Sequence, residues 1–161
     1  MPVELRAFQP TDIQLLEQWA SDIGIDEFMS RYKQRRATGS SHDPGNGLLW
    51  FVIVNSGIDA GTVWLEPGEQ PNESILGIFL GDRSAFGRGI GSQAIRLAVS
   101  QLWALCPSQH VNLNVRQSNS RAIACYQKNG FSITSNGIKI SPSGDPIPFF
   151  QMQLQSCTSI A

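Results

Sequence analysis

Hydrophobic and polar positions near the N-terminus predict one strand followed by two helices. The run "VELRAF" alternates apolar and polar residues, which is the period of a half-buried strand. In "PTDIQLLEQWAS", Ile13, Leu16 and Trp19 recur at helical spacing behind Thr11 or Asp12 as the N-cap. A second, shorter helix is expected over "DEFMSRYKQRRA", ending before the loop sequence "TGSSHDPGNG".

The middle of the chain predicts three consecutive antiparallel strands. The runs "LLWFVIVN", "DAGTVWLEP" and "SILGIFLGD" are rich in strand-forming residues and are separated by turn sequences. Asn55, Ser56 and Gly57 have the turn chemistry of a hairpin. Gly77 in the third run is expected to mark a bulge that splays this strand from the next one.

The pattern then changes to alternating helices and strands. Apolar residues recur at helical spacing from Ile90 to Leu105, and Pro107 prevents continuation. "HVNLNVRQ" alternates as a strand, and "SNSRAIACYQKNG" predicts a helix capped by Ser118 or Asn119. The runs "FSITS", "GIKI" and "PFFQMQLQ" predict the last strands. The whole pattern predicts a single α/β domain over residues 1–161, with a mixed central sheet of about seven strands and helices on both faces.

Composition narrows the class of protein. The chain has 161 residues, of which 41% are hydrophobic and 16% charged, so we expect one soluble domain with its own hydrophobic core. Neither a bilayer-spanning run nor the basic and apolar start of a signal peptide is found, so we expect a cytoplasmic protein with no membrane partner. Three cysteines and two histidines show no metal-ligand spacing, so no metal is expected.

The net charge of −1 conceals an uneven distribution. Residues 37–82 contain six acids and no Lys or Arg, whereas residues 83–144 contain seven basic residues and no Asp or Glu. Chance in a short chain is one explanation. The other is an anionic partner for the second segment and a cationic partner for the first. No nucleic-acid partner is expected.

The stretch "SAFGRGIGSQAI" places Gly87, Gly89 and Gly91 at alternate positions before a predicted helix. Such spacing favours a phosphate cradle at a helix N-terminus. A Walker loop is excluded because no Lys follows Gly91. Gly89, Gly91 and Ala94 satisfy a dinucleotide-binding pattern, but they follow no early strand of a βαβ unit, and no acid lies about 20 residues onward.

The longer context identifies the loop better. "LGIFLGDRSAFGRGIGSQAIRLAVSQL", followed by "VNLNVRQSNSRAIACYQKNGF", resembles the GNAT superfamily of acyl-CoA N-acyltransferases over about 55 residues. Phe86 replaces the Gln or Arg that usually leads the family loop. With an aromatic residue directly before "GRG", the loop resembles that of the branch that contains spermidine, ribosomal-protein and aminoglycoside N-acetyltransferases.

The resemblance implies the GNAT fold and transfer of the acetyl group of acetyl-CoA to a primary amine. The acceptor would be a small molecule, protein or peptide that attacks directly in a ternary complex. An acyl-CoA-binding or sensor module without catalysis is the alternative on the same fold, and a nucleotide-dependent oxidoreductase is a more distant one. A homodimer is left open.

The resemblance also assigns site residues. Tyr126 would protonate the departing thiolate, because a phenol stays protonated at neutral pH. Independently of the resemblance, an acceptor ammonium must lose a proton before attack, to a carboxylate or to an ordered water. Glu73 and Glu66 are the candidate bases, with Asp82 a weaker third. The acceptor pocket is expected from residues 22–36, with Trp64 nearby. Cofactor contacts are expected from Ile78, Phe79, Leu80, Arg83, Gly87, Arg88, Gly89, Ile90, Gly91, Ser92 and Asn119.

Overall fold

A computed structural model describes residues 2–34 and 42–157. It contains one seven-stranded sheet in the order β1-β2-β3-β4-β5-β7-β6. In chain order the elements are β1 (Val3–Ala7), α1 (Ile13–Ile23), β2 (Leu49–Asn55), β3 (Ile58–Pro67), β4 (Glu73–Leu80), α2 (Ile90–Leu105), β5 (His110–Arg116), α3 (Ser120–Lys128), β6 (Ser132–Ile140) and β7 (Pro146–Leu154). The predicted α/β class and the mixed seven-stranded sheet are confirmed. Among the described residues, no helix is both long and apolar enough to cross a bilayer.

The predicted meander of β2, β3 and β4 is present. Ser56 and Gly57 both have positive φ, 51° and 81°, which suits a two-residue turn between twisted strands. All neighbours within the meander are antiparallel. β4 and β5 form a parallel pair, so the sheet is mixed as expected.

The predicted bulge at Gly77 is wrong, although the expected separation of β4 from the next strand, β5, is present beyond Ile75. Gly77 pairs with Trp64 in a β3–β4 ladder that has no register shift. A Cβ built at Gly77 would lie 2.0 Å from Trp64 Cζ2, and Trp64 is buried. The glycine is needed because the indole lies directly against the β4 backbone, where a side chain would collide with it.

Two hydrophobic clusters cover the two faces of the sheet. One packs α2 against alternate residues of the strands, including Val63, Leu76, Leu113 and Met152. The other packs α1, through Leu16, Trp19, Ala20 and Ile23, against Trp50, Val52, Trp64 and Phe79. This alternation follows from the period of two in a strand, and it assigns each side chain to the α1 face or the α2 face.

The second helix predicted over residues 26–37 is wrong in its described part. Only a 3-10 turn at Ile25–Glu27 forms, and residues 28–34 are irregular, while residues 35–37 lie outside the described residues. Tertiary contacts override the helical pattern. Arg31 binds Glu66, and the Gln34 amide donates to the carbonyl oxygens of Leu49 and Leu65.

The C-terminal prediction needs one correction. "FSITS" and "GIKI" are parts of a single strand, β6, whose pairing with β7 shifts register between Ile133 and Ser135. The weak pattern between the two runs therefore marks an irregularity within one strand. β6 is one of the two edge strands of the sheet, and β7 lies between it and β5.

Candidate active site

The parallel strands β4 and β5 separate partway along their length. They pair at three positions only, from Glu73 and His110 to Ile75 and Asn112. Beyond them lies a cavity of about 360 Å³. Its lining includes Ile78, Phe79, Leu80, Gly87, Gly89, Ile90, Gly91, Ser92, Asn114, Asn119, Arg121, Tyr126 and Lys128. Nine of the eleven residues expected to contact the cofactor, and Tyr126, are thus brought together, and the two exceptions are Arg83 and Arg88.

The edge of β4 contributes backbone donors to this cavity. Gly81 donates its N–H to Ala60 O at 2.8 Å, and the β3–β4 ladder is regular from Gly61 to Pro67. Because N–H groups alternate between the two edges of a strand, those of Ile78 and Leu80 face the gap left by β5. An extended ligand arm with amide groups could pair with this edge as a strand would.

The first turn of α2 opens on the same cavity. Gly87 and Gly89 have φ of 78° and 81°, and a Cβ built at either would meet no atom within 4 Å. Gly89 is the N-cap and supplies no capping side chain, so the first N–H groups of the helix stay available. Gly91 is already helical, and its nearest neighbour would be Ile78 Cδ1 at 3.9 Å. This geometry fits a pyrophosphate group held by backbone donors.

The arginines around the loop have different roles. Arg83 donates to Ile23 O at 2.7 and 3.0 Å and binds Glu27 at 2.6 Å, so its guanidinium attaches the loop to the end of α1. Arg88 is exposed and lies outside the lining. Arg121, which the sequence analysis missed, lines the cavity 4.1 Å from the ring of Phe86. Its position in the "NSRA" run was the available signal.

Tyr126 lies on α3, beside Phe131 at 5.8 Å between ring centroids. Burial raises the pKa of the Tyr126 phenol above its usual value, and the adjacent Cys125 adds to the shift. The hydroxyl therefore stays protonated throughout the neutral range. Burial likewise raises the pKa of the Cys125 thiol, which disfavours a thiolate nucleophile. Asn119 is the N-cap of α3, with its side chain accepting from Ala122 N, and it also lines the cavity.

Neither glutamate proposed as base lines the cavity. Glu66 is buried on β3 and binds Arg31 Nη1 at 3.1 Å. Glu73 begins β4, at the end opposite Leu80, and its side chain lies against Gly68 in the preceding turn. The sequence could not show that these glutamates lie outside the cavity. Both are close to strand ends, and the distance of a strand end from the cavity depends on how the strands pair in the sheet.

The expected acceptor segment partly reaches the cavity. Phe28 and Met29 contribute to the lining, and Phe28 packs edge-to-face against Phe86 at 5.9 Å. Tyr32 packs in the same way against Phe79 at 6.3 Å. Trp64 is buried beneath this segment and is not part of the lining.

Comparison with known families gives the same assignment. The profile described as acetyltransferase (GNAT) domain matches residues 3–132. The chain belongs to the GNAT acetyltransferase family. This GNAT chain is 28% identical over 143 residues to an aminoglycoside N(6')-acetyltransferase type 1 from Klebsiella pneumoniae, a match that covers 89% of the chain and 66% of that enzyme. It therefore spans a little under two thirds of the relative's length.

Solved structures share the GNAT fold. An aminoglycoside acetyltransferase in complex with coenzyme A has a TM-score of 0.71 and 22% identity, over 96% of this chain and 95% of that one. A spermidine N-acetyltransferase chimera from Vibrio cholerae has a TM-score of 0.76 and 16% identity, over 96% of both chains. The expected GNAT fold is confirmed, and the expected resemblance to aminoglycoside N-acetyltransferases is matched by the 28% identical relative.

Proposed function

We propose that this protein transfers the acetyl group of acetyl-CoA to a primary amine. One observation carries the proposal: a single cavity joins the unpaired edge of β4, the uncapped start of α2 and Tyr126. The similarity to aminoglycoside acetyltransferases, one of them solved with coenzyme A, supports the choice of cofactor. The amine belongs to a small molecule, a protein or a peptide.

The cofactor set follows from the lining. The N–H groups from Gly89 to Ser92 would bind the pyrophosphate, with Arg121 and Lys128 adding positive charge. The edge of β4 at Ile78 and Leu80 would bind the pantetheine arm and place a donor near the thioester carbonyl oxygen. Arg83 is left out of this set because its guanidinium is used in contacts with α1 and Glu27.

Acetyl-CoA supplies an activated thioester. The amine nitrogen forms a bond to the carbonyl carbon while the carbon–sulfur bond breaks. Tyr126 donates its phenolic proton to the departing sulfur and recovers a proton from the attacking amine through solvent. The products are the N-acetylated amine and free coenzyme A, and Cys125 takes no part.

The test is release of free thiol. Purified protein is mixed with acetyl-CoA and one of four probes: kanamycin, spermidine, triglycine or Nα-acetyl-lysine. We expect amine-dependent thiol release with at least one probe, and acetylated product by mass spectrometry. Acetyl-CoA binding without turnover for any amine would instead support the sensor module, and tight NAD(P) binding without coenzyme A affinity would support the oxidoreductase.

A cytoplasmic location is part of the same proposal, since acetyl-CoA is an intracellular metabolite. Fractionation of cells that express the full-length protein, with an antibody against it, is the corresponding measurement. Recovery in a membrane or secreted fraction would contradict it.

A further inference from the structure

Asn114 lines the cavity but has no role in the reaction as described so far. It lies on β5 two residues beyond Asn112, the last residue paired with β4. Continuing that parallel register by two residues places Asn114 across the gap from Gly77, next to the backbone donor of Ile78. Asn114 is therefore close to the position proposed for the thioester carbonyl.

The side chain of Asn114 is on the acceptor side of the sheet. Its neighbours Leu113 and Val115 are buried in the cluster on the α2 face. Alternation along β5 then directs Asn114 to the α1 face. That face is where Phe28 and Met29, from the segment expected to hold the acceptor, line the cavity.

The Asn114 amide is available, unlike those of its neighbours on the same face. Asn112 Oδ1 accepts from Gln153 at 2.9 Å, and Gln151 Oε1 accepts from Ser135 at 3.0 Å. Within residues 2–34 and 42–157, the exposed Asn114 side chain makes no hydrogen bond. Its carbonyl oxygen can accept a hydrogen bond from an amine, but an amide cannot take up the proton.

Among the described residues, the lining of the cavity includes no carboxylate that could pair with an ammonium group or take up its proton. Among the described residues of the lining, the charged side chains are those of Arg121 and Lys128. The lining also includes the titratable side chains of Tyr126 and Cys125. Arg116, two residues further along β5, donates to Asp26 O and to Ser30 Oγ. Of the acids on this side of the sheet, Glu27 is paired with Arg83 and Glu66 with Arg31. Asp26 is exposed and lies outside the lining, and the residues outside the described ranges include no Asp, Glu or His. An amine that attacks here must therefore arrive without its extra proton or lose that proton to solvent.

We propose that Asn114 Oδ1 accepts a hydrogen bond from the attacking amine in its neutral form and orients its lone pair toward the thioester. The inference rests on the proposed function. It assigns Asn114 to the acceptor and makes the uncharged fraction of the amine a determinant of substrate choice. Amines of low pKa, such as a peptide α-amino group near 8, are then favoured over lysine-like amines near 10.4 at equal fit.

The first test compares Asn114→Ala with Asn136→Ala, a matched change on the exposed edge strand β6. We expect N114A to lower kcat/KM for the best probe amine about tenfold. Its Kd for acetyl-CoA should stay within twofold of wild type, measured by calorimetry, and N136A should match wild type in both. Equal kcat/KM for N114A and wild type would overturn the inference, as would a large loss of acetyl-CoA affinity.

The second test uses pH. For wild type, kcat/KM for the amine should rise about tenfold per pH unit from pH 6 until the pKa of the amine itself. Asn114→Asp places a carboxylate that can accept the proton, so its profile should be flatter below pH 7. A wild-type profile that is flat over this range would show an enzymatic base and overturn the inference. No thiol release by wild type with any of the four probes would instead overturn the proposed function.

Discussion

At the scale of single residues, Tyr126 offers the sharpest test of the proposed chemistry. Its hydroxyl makes no hydrogen bond within the described ranges, so Tyr126→Phe removes a donor without leaving a buried partner unsatisfied. We expect kcat to fall about a hundredfold, as for loss of a general acid. The thermal midpoint and the Kd for acetyl-CoA should change little.

The pKa direction of Tyr126 adds a control on stability. A raised pKa in the folded state means that the native protein retains this proton at a pH where the unfolded chain has lost it. Its contribution is complete below pH 10 and is lost as the pH rises further. Wild type should therefore lose stability above pH 10 more steeply than Tyr126→Phe, measured by urea unfolding. For the activity prediction above, an unchanged kcat in Tyr126→Phe would contradict the role of Tyr126 as general acid.

Glu66 gives the contrasting case of a structural carboxylate. The ion pair between its buried carboxylate and the partly exposed Arg31 guanidinium attaches the expected acceptor segment to β3. Glu66→Gln would leave Arg31 without its charged partner, which we expect to cost about 1–3 kcal/mol of the free energy of unfolding. At a temperature where the variant is folded, kcat should stay within about threefold of wild type. A loss of kcat that is largest at low pH would restore Glu66 as the base.

At the scale of elements, the sequence predicted what periodicity and caps encode. Local patterns predicted the strands of the meander, the start of α2 after its glycines and the start of α3 at its N-cap, Asn119. The failures have a common cause in tertiary packing. Residues 26–34 have helical periodicity, but Arg31 and Gln34 are held by the sheet. Asn114 and Arg121 line the cavity because β4 and β5 separate and α3 packs beside them. The spacing of residues along the chain does not show either event.

The proposed pyrophosphate site at the N-terminus of α2 can be tested with a variant that should stabilise the fold and weaken acetyl-CoA binding. Gly91 has ordinary helical geometry and space for a methyl group, since its nearest neighbour is 3.9 Å from the built Cβ. Gly91→Ala should raise the free energy of unfolding by about 0.5 kcal/mol, because alanine favours the helix. The same methyl would crowd the proposed pyrophosphate position. We expect acetyl-CoA affinity to fall at least tenfold, measured by calorimetry, and unchanged affinity would argue against this cradle.

At the scale of the whole molecule, the fold uses the uneven charge seen in the sequence. The segment without carboxylates, residues 83–144, supplies α2, β5 and α3, which surround the cavity. Arg83 and Arg116 instead attach this half to the loop after α1. We therefore propose two roles for the asymmetry, one in binding the anionic cofactor and one in holding the expected acceptor segment over the cavity.

A ligand that bridges β4, α2 and α3 should stabilise the entire domain, since it binds the folded chain alone. At a concentration of 100 times its Kd, acetyl-CoA should add about 2.7 kcal/mol. For a domain of this size, that corresponds to a rise of about 5–10 °C in the thermal midpoint. NADH at the same concentration is the matched control, because it also carries a pyrophosphate and an adenosine but has no pantetheine arm for the edge of β4. We expect a much smaller shift with NADH. Equal shifts would mean that the α2 cradle alone determines affinity, and a shift with NADH only would contradict the assignment of the cavity to coenzyme A.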